Sequence, residues 1–299
     1  MRVAVTGASG FCGGHVAQAV AAAGAEVVCL GRRPGPVGTQ RFWDAAADDR
    51  PDLAGADAVI HVAAAVGDPG NRPAALARYR TVNVAGTARL LDAAAGRRVV
   101  HVSSASVYDP TVDRRRVTEE HPIGNQLNVY GRTKAEGERL ALDAGAVVLR
   151  PRAVYGPGDP HLLPRLRDRV RHGILALPGP DVWLSLTAVE NLADACHAAL
   201  HWPAGAYNVA DAEPYRRDAA VRAVLAATGT PVRAVVHLPV RLAVAAARVA
   251  EATARSAPPV LSRYAVDQVG HQVVLDIGKA LATRWRPRRD LTDLVGRPG

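Results

Sequence analysis

At 299 residues, 48% hydrophobic and 22% charged, the chain has the balance of one large globular domain or two intimately packed ones, not of a disordered or fibrous protein. Its net charge of +9 is carried by arginines spread along the sequence, and the densest runs, Arg114–Arg116 and Arg284–Arg289, are short and poor in interleaved aromatics, so no nucleic-acid partner is expected. The alanine-rich stretches Val16–Ala25 and Leu242–Ala252 are too short or too interrupted for a membrane span, and the scattered Cys12, Cys29 and Cys196 suit a reducing cytoplasm and show no metal-ligand spacing.

Arg2–Thr6 is an apolar run of strand length that enters a glycine loop directly, with no leader pattern before it. The loop (Gly7, Ser9, Gly10, Phe11, Gly13) leads into a helical pattern from His15 to Ala23, and strand, glycine loop and helix together form a phosphate-binding arrangement. Glycines there permit a tight turn and close approach to a pyrophosphate. Cys12 is expected merely to line the loop. A second strand, Glu26–Leu30, ends at Arg32 and Arg33, two guanidinium groups where an acidic residue would select a ribose 2′-hydroxyl. This favours NADP(H), with NAD the lesser choice. Asp44, after Trp43, is placed to accept from an adenine amino group.

The run Ala58–Ala64 reads as a buried strand entering a turn in which the small Ala63 and Ala64 admit a cofactor, and His61 reads as a core histidine. A helix follows, ending near Ala95, and its Asn83 offers a buried amide for a backbone carbonyl or a relay water. The next strand, Arg98–Ser103, opens into a hydroxyl-rich loop, Ser103-Ser104-Ala105-Ser106-Val107-Tyr108, at the edge where a doubly wound sheet binds ligands. Then comes a helix bearing Tyr130 and Lys134, four residues apart on one face. Lysine occurs only at Lys134 and Lys279 in a chain that otherwise uses arginine, and only lysine is a compact, tunable ammonium. Such an ammonium beside a phenol favours the phenolate and moves its pKa toward working pH.

These segments, with Leu149-Arg150-Pro151-Arg152-Ala153-Val154-Tyr155-Gly156-Pro157, resemble the extended short-chain dehydrogenase/reductase superfamily over nearly the whole chain, in its epimerase/dehydratase-like and 3β-hydroxysteroid dehydrogenase-like branch. The resemblance implies that Ser104, Tyr130 and Lys134 are the catalytic triad, Asn83 the fourth member, and Pro151 a further cofactor contact. It implies an α/β fold, a Rossmann-type doubly wound parallel sheet with a smaller, mostly helical C-terminal substrate-binding lobe. The expected division is 1–157 with about 182–210 for the dinucleotide-binding domain, and about 158–181 with 211–299 for the lobe. Family members often form homodimers through the tyrosine helix.

Two departures narrow the chemistry. Ala105-Ser106 replaces the acidic pair of sugar-nucleotide dehydratases, and Ala153 replaces an asparagine usual in nucleotide-sugar epimerases. The start Val189-Glu190-Asn191 resembles the hydroxysteroid dehydrogenase branch, although Asn191 is equally a plausible helix N-cap. In the C-terminal third, Leu238–Ala254 is expected as an apolar helix, buried in the core or roofing a pocket, and Lys279 as structural. The expected function is an NADP(H)-dependent ketoreductase or secondary alcohol dehydrogenase of secondary metabolism, acting on a bulky, rather apolar ring ketone or alcohol of sterol-, flavanonol- or polyketide-like type. The alternative is a nucleotide-deoxysugar 4-ketoreductase or epimerase, which needs diphosphate-binding arginines in the lid, for which Arg165, Arg233 and Arg263 are the candidates. A further alternative is a cofactor-sensing protein without turnover, which has no use for an intact proton donor.

Overall fold

The computed structural model describes residues 1–160, 166–254 and 261–296, so Arg165 and Pro258-Pro259 lie outside the described residues. The apolar run β1 (Arg2–Thr6) is followed by α1 (Phe11–Ala22) and β2 (Glu26–Gly31). A short strand not anticipated from the sequence, β3 (Thr39–Phe42), pairs in parallel with β2. Its residues are mostly exposed, because an edge strand needs no apolar pattern.

The next strand, β4 (Ala58–His61), stops short of the expected Ala64. The amides of Val62 and Ala63 are taken at 3.0 Å by the Thr6 hydroxyl, so the chain leaves the ladder there. The long helix expected before Ala95 has three parts: α2 (Pro73–Arg80), a six-residue π-helical turn (Thr81–Gly86) and α3 (Thr87–Ala93). Then follow β5 (Arg98–Val102), α4 (Val129–Asp143) and β6 (Val147–Pro151). Asn128 caps α4, its side-chain oxygen accepting from the Gly131 amide at 2.9 Å. The remaining main elements are β7 (Ile174–Pro178), α5 (Val189–Ala198), β8 (Gly205–Val209), α6 (Arg217–Ala227), β9 (Ala234–Leu238), α7 (Val240–Thr253) and α8 (Arg263–Gly270).

Seven strands form one parallel sheet in the order β8-β6-β5-β4-β1-β2-β3. Helices cover both faces, which is why its central strands are uniformly apolar and do not alternate. On one face Val16 and Val20 of α1 meet Leu192 and Cys196 of α5, and on the other Leu90, Ala141 and Trp43 pack over Leu30, Val59 and Val148. The strand order reverses beside β1, so the crevice at the carboxyl ends of β1 and β4 is the ligand position of a doubly wound sheet.

The C-terminal lobe carries a second small sheet in which β7 and β9 pair in parallel, with Leu175 and Leu177 packed on Val221 and Leu225 of α6. Helix α7 corrects the expectation placed on it. It is neither core nor roof: only Ala243 and Ala247 are buried, while Leu242 and Val249 are 65% and 64% exposed. Alanine fits buried and exposed faces alike, so its apolar composition does not report burial. No described helix is long and apolar enough to cross a membrane.

Candidate functional site

The glycine loop takes its shape from contacts that no larger residue allows. Gly7 has φ +69°, and a Cβ there would come within 2.9 Å of the Ala63 backbone. A Cβ on Gly13 would lie 2.2 Å from the Gly7 carbonyl oxygen, so only glycine lets α1 enter this close to β1. The N-cap of α1 is Gly10, without a side-chain cap and without an acidic residue in the first turn. Its first-turn N–H groups are therefore available to an anion from outside the helix. Cys12, in the same turn, has its thiol pushed up to about 12 by burial and is not an activated nucleophile.

A cavity of about 930 Å³ runs from this loop into the C-terminal lobe. Gly7, Ser9, Gly10, Phe11, Gly13, Arg32, Arg33, Asp44, Ala63, Ala64, Ser104, Tyr130, Lys134 and Pro151 all line it. Asn83 does not. Its amide is fully engaged below the 62–66 loop, with Oδ1 accepting from Ala65 N at 2.7 Å and Nδ2 donating to Ala65 O and Thr133 Oγ1, each at 3.0 Å. It positions the loop and the tyrosine helix, and its reach is made possible by Gly137, where a Cβ would lie 2.2 Å from Asn83 O.

Ser104 caps the turn after β5, its Oγ accepting from Ser106 N at 3.2 Å, and its hydroxyl is near enough to the Tyr130 phenol to favour the phenolate. Lys134 Nζ donates to Val102 O at 2.7 Å and lies 3.4 Å from His101 Nε2. Burial lowers the Lys134 pKa to about 8, with Glu138 pulling the other way. The Tyr130 phenol is pushed up by burial and by Tyr264, with the Ser104 hydrogen bond opposing. This corrects the expectation that Lys134 depresses the phenol in the free protein: the ammonium is directed at the Val102 carbonyl, and the cost of burying a phenolate dominates. His61 is a core histidine, as expected, held between the hydroxyls of Thr6 at 2.8 Å and Thr87 at 3.1 Å and lowered by burial to about 3.

Three further residues line this part of the cavity without having been singled out for it in the sequence. Ser106 Oγ lies 3.2 Å from Ser104 Oγ and 2.9 Å from Tyr264 Oη, which α8 brings in from the other lobe. Arg152, just past β6, is buried in the same wall. The serine was legible in the hydroxyl-rich loop; nothing local marks Tyr264 or Arg152, because both are placed by contacts more than a hundred residues apart. Asn191 is not a helix cap either. The N-cap of α5 is Ala188, and Asn191 ties that helix to the tail, accepting from the amides of Arg288 and Arg289 and donating to Asp211.

A family model described as the NAD dependent epimerase/dehydratase family matches residues 3–210. A 2-alkyl-3-oxoalkanoate reductase of Shewanella oneidensis is 29% identical over 92% of this chain and 79% of its own length. A 4-hydroxy-2-methyl-3-oxo-4-farnesyl-3,4-dihydroquinoline-1-oxide ketoreductase of Stigmatella aurantiaca is 30% identical over 94% of this chain and 90% of its own. Among solved structures, MoeE5 in complex with UDP-glucose and NAD is 25% identical, with a TM-score of 0.72, covering 100% of this chain and 97% of that one.

The cofactor expectation is corrected by these structures. MoeE5 and other structures that align along this chain were solved with NAD, not NADP. The local geometry gives a reason why two arginines misled. Arg32 Nη1 stands 4.0 Å from the Asp44 carboxylate and its side chain is 73% exposed, so it is a surface group with a carboxylate at hand, not a preformed clamp for a 2′-phosphate.

Proposed function

Because the chain belongs to the NAD-dependent epimerase/dehydratase family and is an oxidoreductase of small-molecule hydroxyl or keto groups, we propose that it uses NAD(H) to interconvert a bulky, rather apolar ketone and its secondary alcohol. The cofactor-sensing alternative falls away with that assignment. The observation that carries the substrate reading is the far wall of the cavity, where Leu166, Leu175, Leu177, Leu186, Val221, Val224 and Val269 face the space beyond the serine and tyrosine hydroxyls. Of the arginines named for a diphosphate, Arg233 and Arg263 do not supply it: Arg263 donates to Glu251 at 2.8 Å, and neither lines the cavity. Both curated relatives described above are reductases of substrates with alkyl or farnesyl groups.

The glycine loop and the α1 N-terminus suit a pyrophosphate, and Asp44, Ala63 and Lys134 line the path of a dinucleotide toward Tyr130. NAD(H) supplies the hydride acceptor or donor when bound. Ser104 and Tyr130 hold the substrate oxygen, Tyr130 gives or takes its proton, and Lys134 contributes positive charge from the cavity floor.

A second reading, the nucleotide-sugar ketoreductase or epimerase, is favoured by the solved structures more than the apolar-ketone reading is, since MoeE5 holds UDP-glucose on a fold aligned over the whole chain. Arg169 also lines the cavity. The deciding experiment is NADH fluorescence titration against NADPH, followed by turnover of bulky ring ketones with NADH and of UDP-glucose with NAD, with Tyr130→Phe alongside. The proposal expects tighter NADH, ketone reduction and its loss in the variant. Turnover of the nucleotide sugar without ketone reduction transfers the assignment to the second reading.

A further inference from the structure

Arg152 is a buried charge that the site described so far does not use. It is 4% exposed, it borders the cavity, and it forms no ion pair among the described residues. Its Nη1 donates to Ser185 O at 2.8 Å and its Nη2 to Gln268 O at 2.7 Å. A guanidinium carries five N–H hydrogens, so three have no partner among the described residues. The nearest charged neighbours do not neutralise it. Asp267 is committed to Arg114 through two hydrogen bonds, at 2.8 and 2.5 Å, and also meets His271 at 3.2 Å. Arg114 itself adds to the positive potential, and burial beside it lowers the Arg152 pKa to about 10, still a cation at neutral pH. Burying an unpaired charge in this way is costly unless something answers it.

The surroundings of Arg152 are those of a receptor for an acid. Strands β5 and β6 run in parallel with Val102 opposite Leu149, so the turn holding Ser104 and Ser106 emerges beside Arg152. From the other side α8 presents Tyr264 one turn before Gln268, whose carbonyl the arginine holds. Ser106 Oγ and Tyr264 Oη are 2.9 Å apart, and both line the cavity. The hydroxyls of Ser106 and Tyr264 thus follow on from Ser104, and the Arg152 cation lines the same cavity. Asp68, on the same cavity wall, has its oxygens occupied by Asn128 and Ser262.

We propose that Arg152, with Ser106 and Tyr264, is an anion-accepting corner of the substrate cavity, and that the substrate carries a carboxylate a few bonds from the carbon that is oxidised or reduced. This rests on the ketone reading above and narrows it to apolar keto or hydroxy acids. The acid docks against the guanidinium, the adjoining oxygen meets Ser104 and Tyr130, and the alkyl part extends along the leucine wall. A charge-assisted pair in a site shielded from water also fixes orientation, so the same cation that binds the acid selects which face of the carbonyl is presented.

The test is calorimetric binding of β-hydroxymyristic acid and its methyl ester to the protein saturated with NAD. The acid is expected to bind roughly 10-fold tighter than the ester or more. Arg152→Met should bring the two ligands level. Because that arginine also braces two carbonyls, Tyr264→Phe is the companion variant, expected to narrow the acid-to-ester ratio while ester affinity holds, a readout that a merely structural tyrosine would not move. Equal binding of acid and ester by the unmodified protein overturns the anion corner but leaves the ketone reading standing. Binding of neither, with UDP-glucose bound instead, overturns both.

Discussion

Gly131 follows Tyr130 on α4, and a methyl group placed there would lie 2.6 Å from the Ser106 carbonyl oxygen. Ordinary contact begins near 3.4 Å, and the obstructing atom is backbone, which cannot rotate aside. Gly131→Ala therefore forces α4 and the Ser104–Ser106 turn apart by roughly 0.8 Å. That displacement separates Tyr130 from Ser104, and if Tyr130 is the proton donor proposed above, misplacing it by about 1 Å costs on the order of 100-fold in rate. The glycine loop is on another element but Lys134 is on the displaced helix, so NAD affinity should weaken by a smaller factor than kcat falls. In stability, alanine's better helix propensity contributes about 1 kcal/mol against about 1–3 kcal/mol of overpacking, a net loss of up to about 2 kcal/mol. The assays are kcat with the best substrate of the ketone panel, NADH titration, and a thermal melt. A variant that melts higher with kcat within 2-fold of the parent would show that close approach is not why this position is glycine, and the reasoning would fail.

Lys134 gives a pH prediction. Burial holds its pKa at about 8, below its unfolded value, so NAD affinity should be flat below that pH and weaken as pH rises through it, by up to about 10-fold per unit if only the ammonium form binds. Stability runs the other way: the cost of burying the ammonium is present below about 8 and is relieved above it. NADH titrations from pH 6 to 10 would check the first, and an affinity flat across that range would discard it. Asn83→Ala removes three hydrogen bonds and leaves both Ala65 backbone groups unpaired, for an expected loss of about 2–3 kcal/mol in urea denaturation; a loss under about 0.5 kcal/mol would contradict that. Glu138 meets Arg150 at 3.0 Å, with side chains 1% and 3% exposed. Glu138→Gln should cost about 3–5 kcal/mol by leaving the guanidinium unpaired, and a melt unchanged from the parent would rule this out.

Most of the nucleotide-facing half could be read in advance because its constraints are local. A glycine loop needs glycine at fixed offsets, a tyrosine and a lysine four apart share a helix face, and buried parallel strands are written as apolar runs, as Arg2–Thr6 and Ala58–His61 show. Composition sharpened that reading, since Lys134 is one of only two lysines in a chain that otherwise writes arginine. The same composition also misled. Arg32 and Arg33 suggested a 2′-phosphate, yet Asp44, eleven or twelve residues on, stands 4.0 Å from Arg32, and similar structures hold NAD. Alanine in α7 said nothing about burial.

What the sequence by itself determined is therefore the sheet and the glycine loop, and it singled out Ser104, Tyr130 and Lys134, which line one cavity. What only the tertiary structure decided is what surrounds them. Folding set Asn83 beneath the loop and not in the cavity, raised the Tyr130 phenol by burial, aimed Lys134 at a carbonyl, and brought Tyr264 and Arg152 together with Ser106. The reason is physical. Backbone propensity and side-chain spacing act over a few residues, whereas desolvation, charge pairing and cavity shape depend on which distant segments end up in contact.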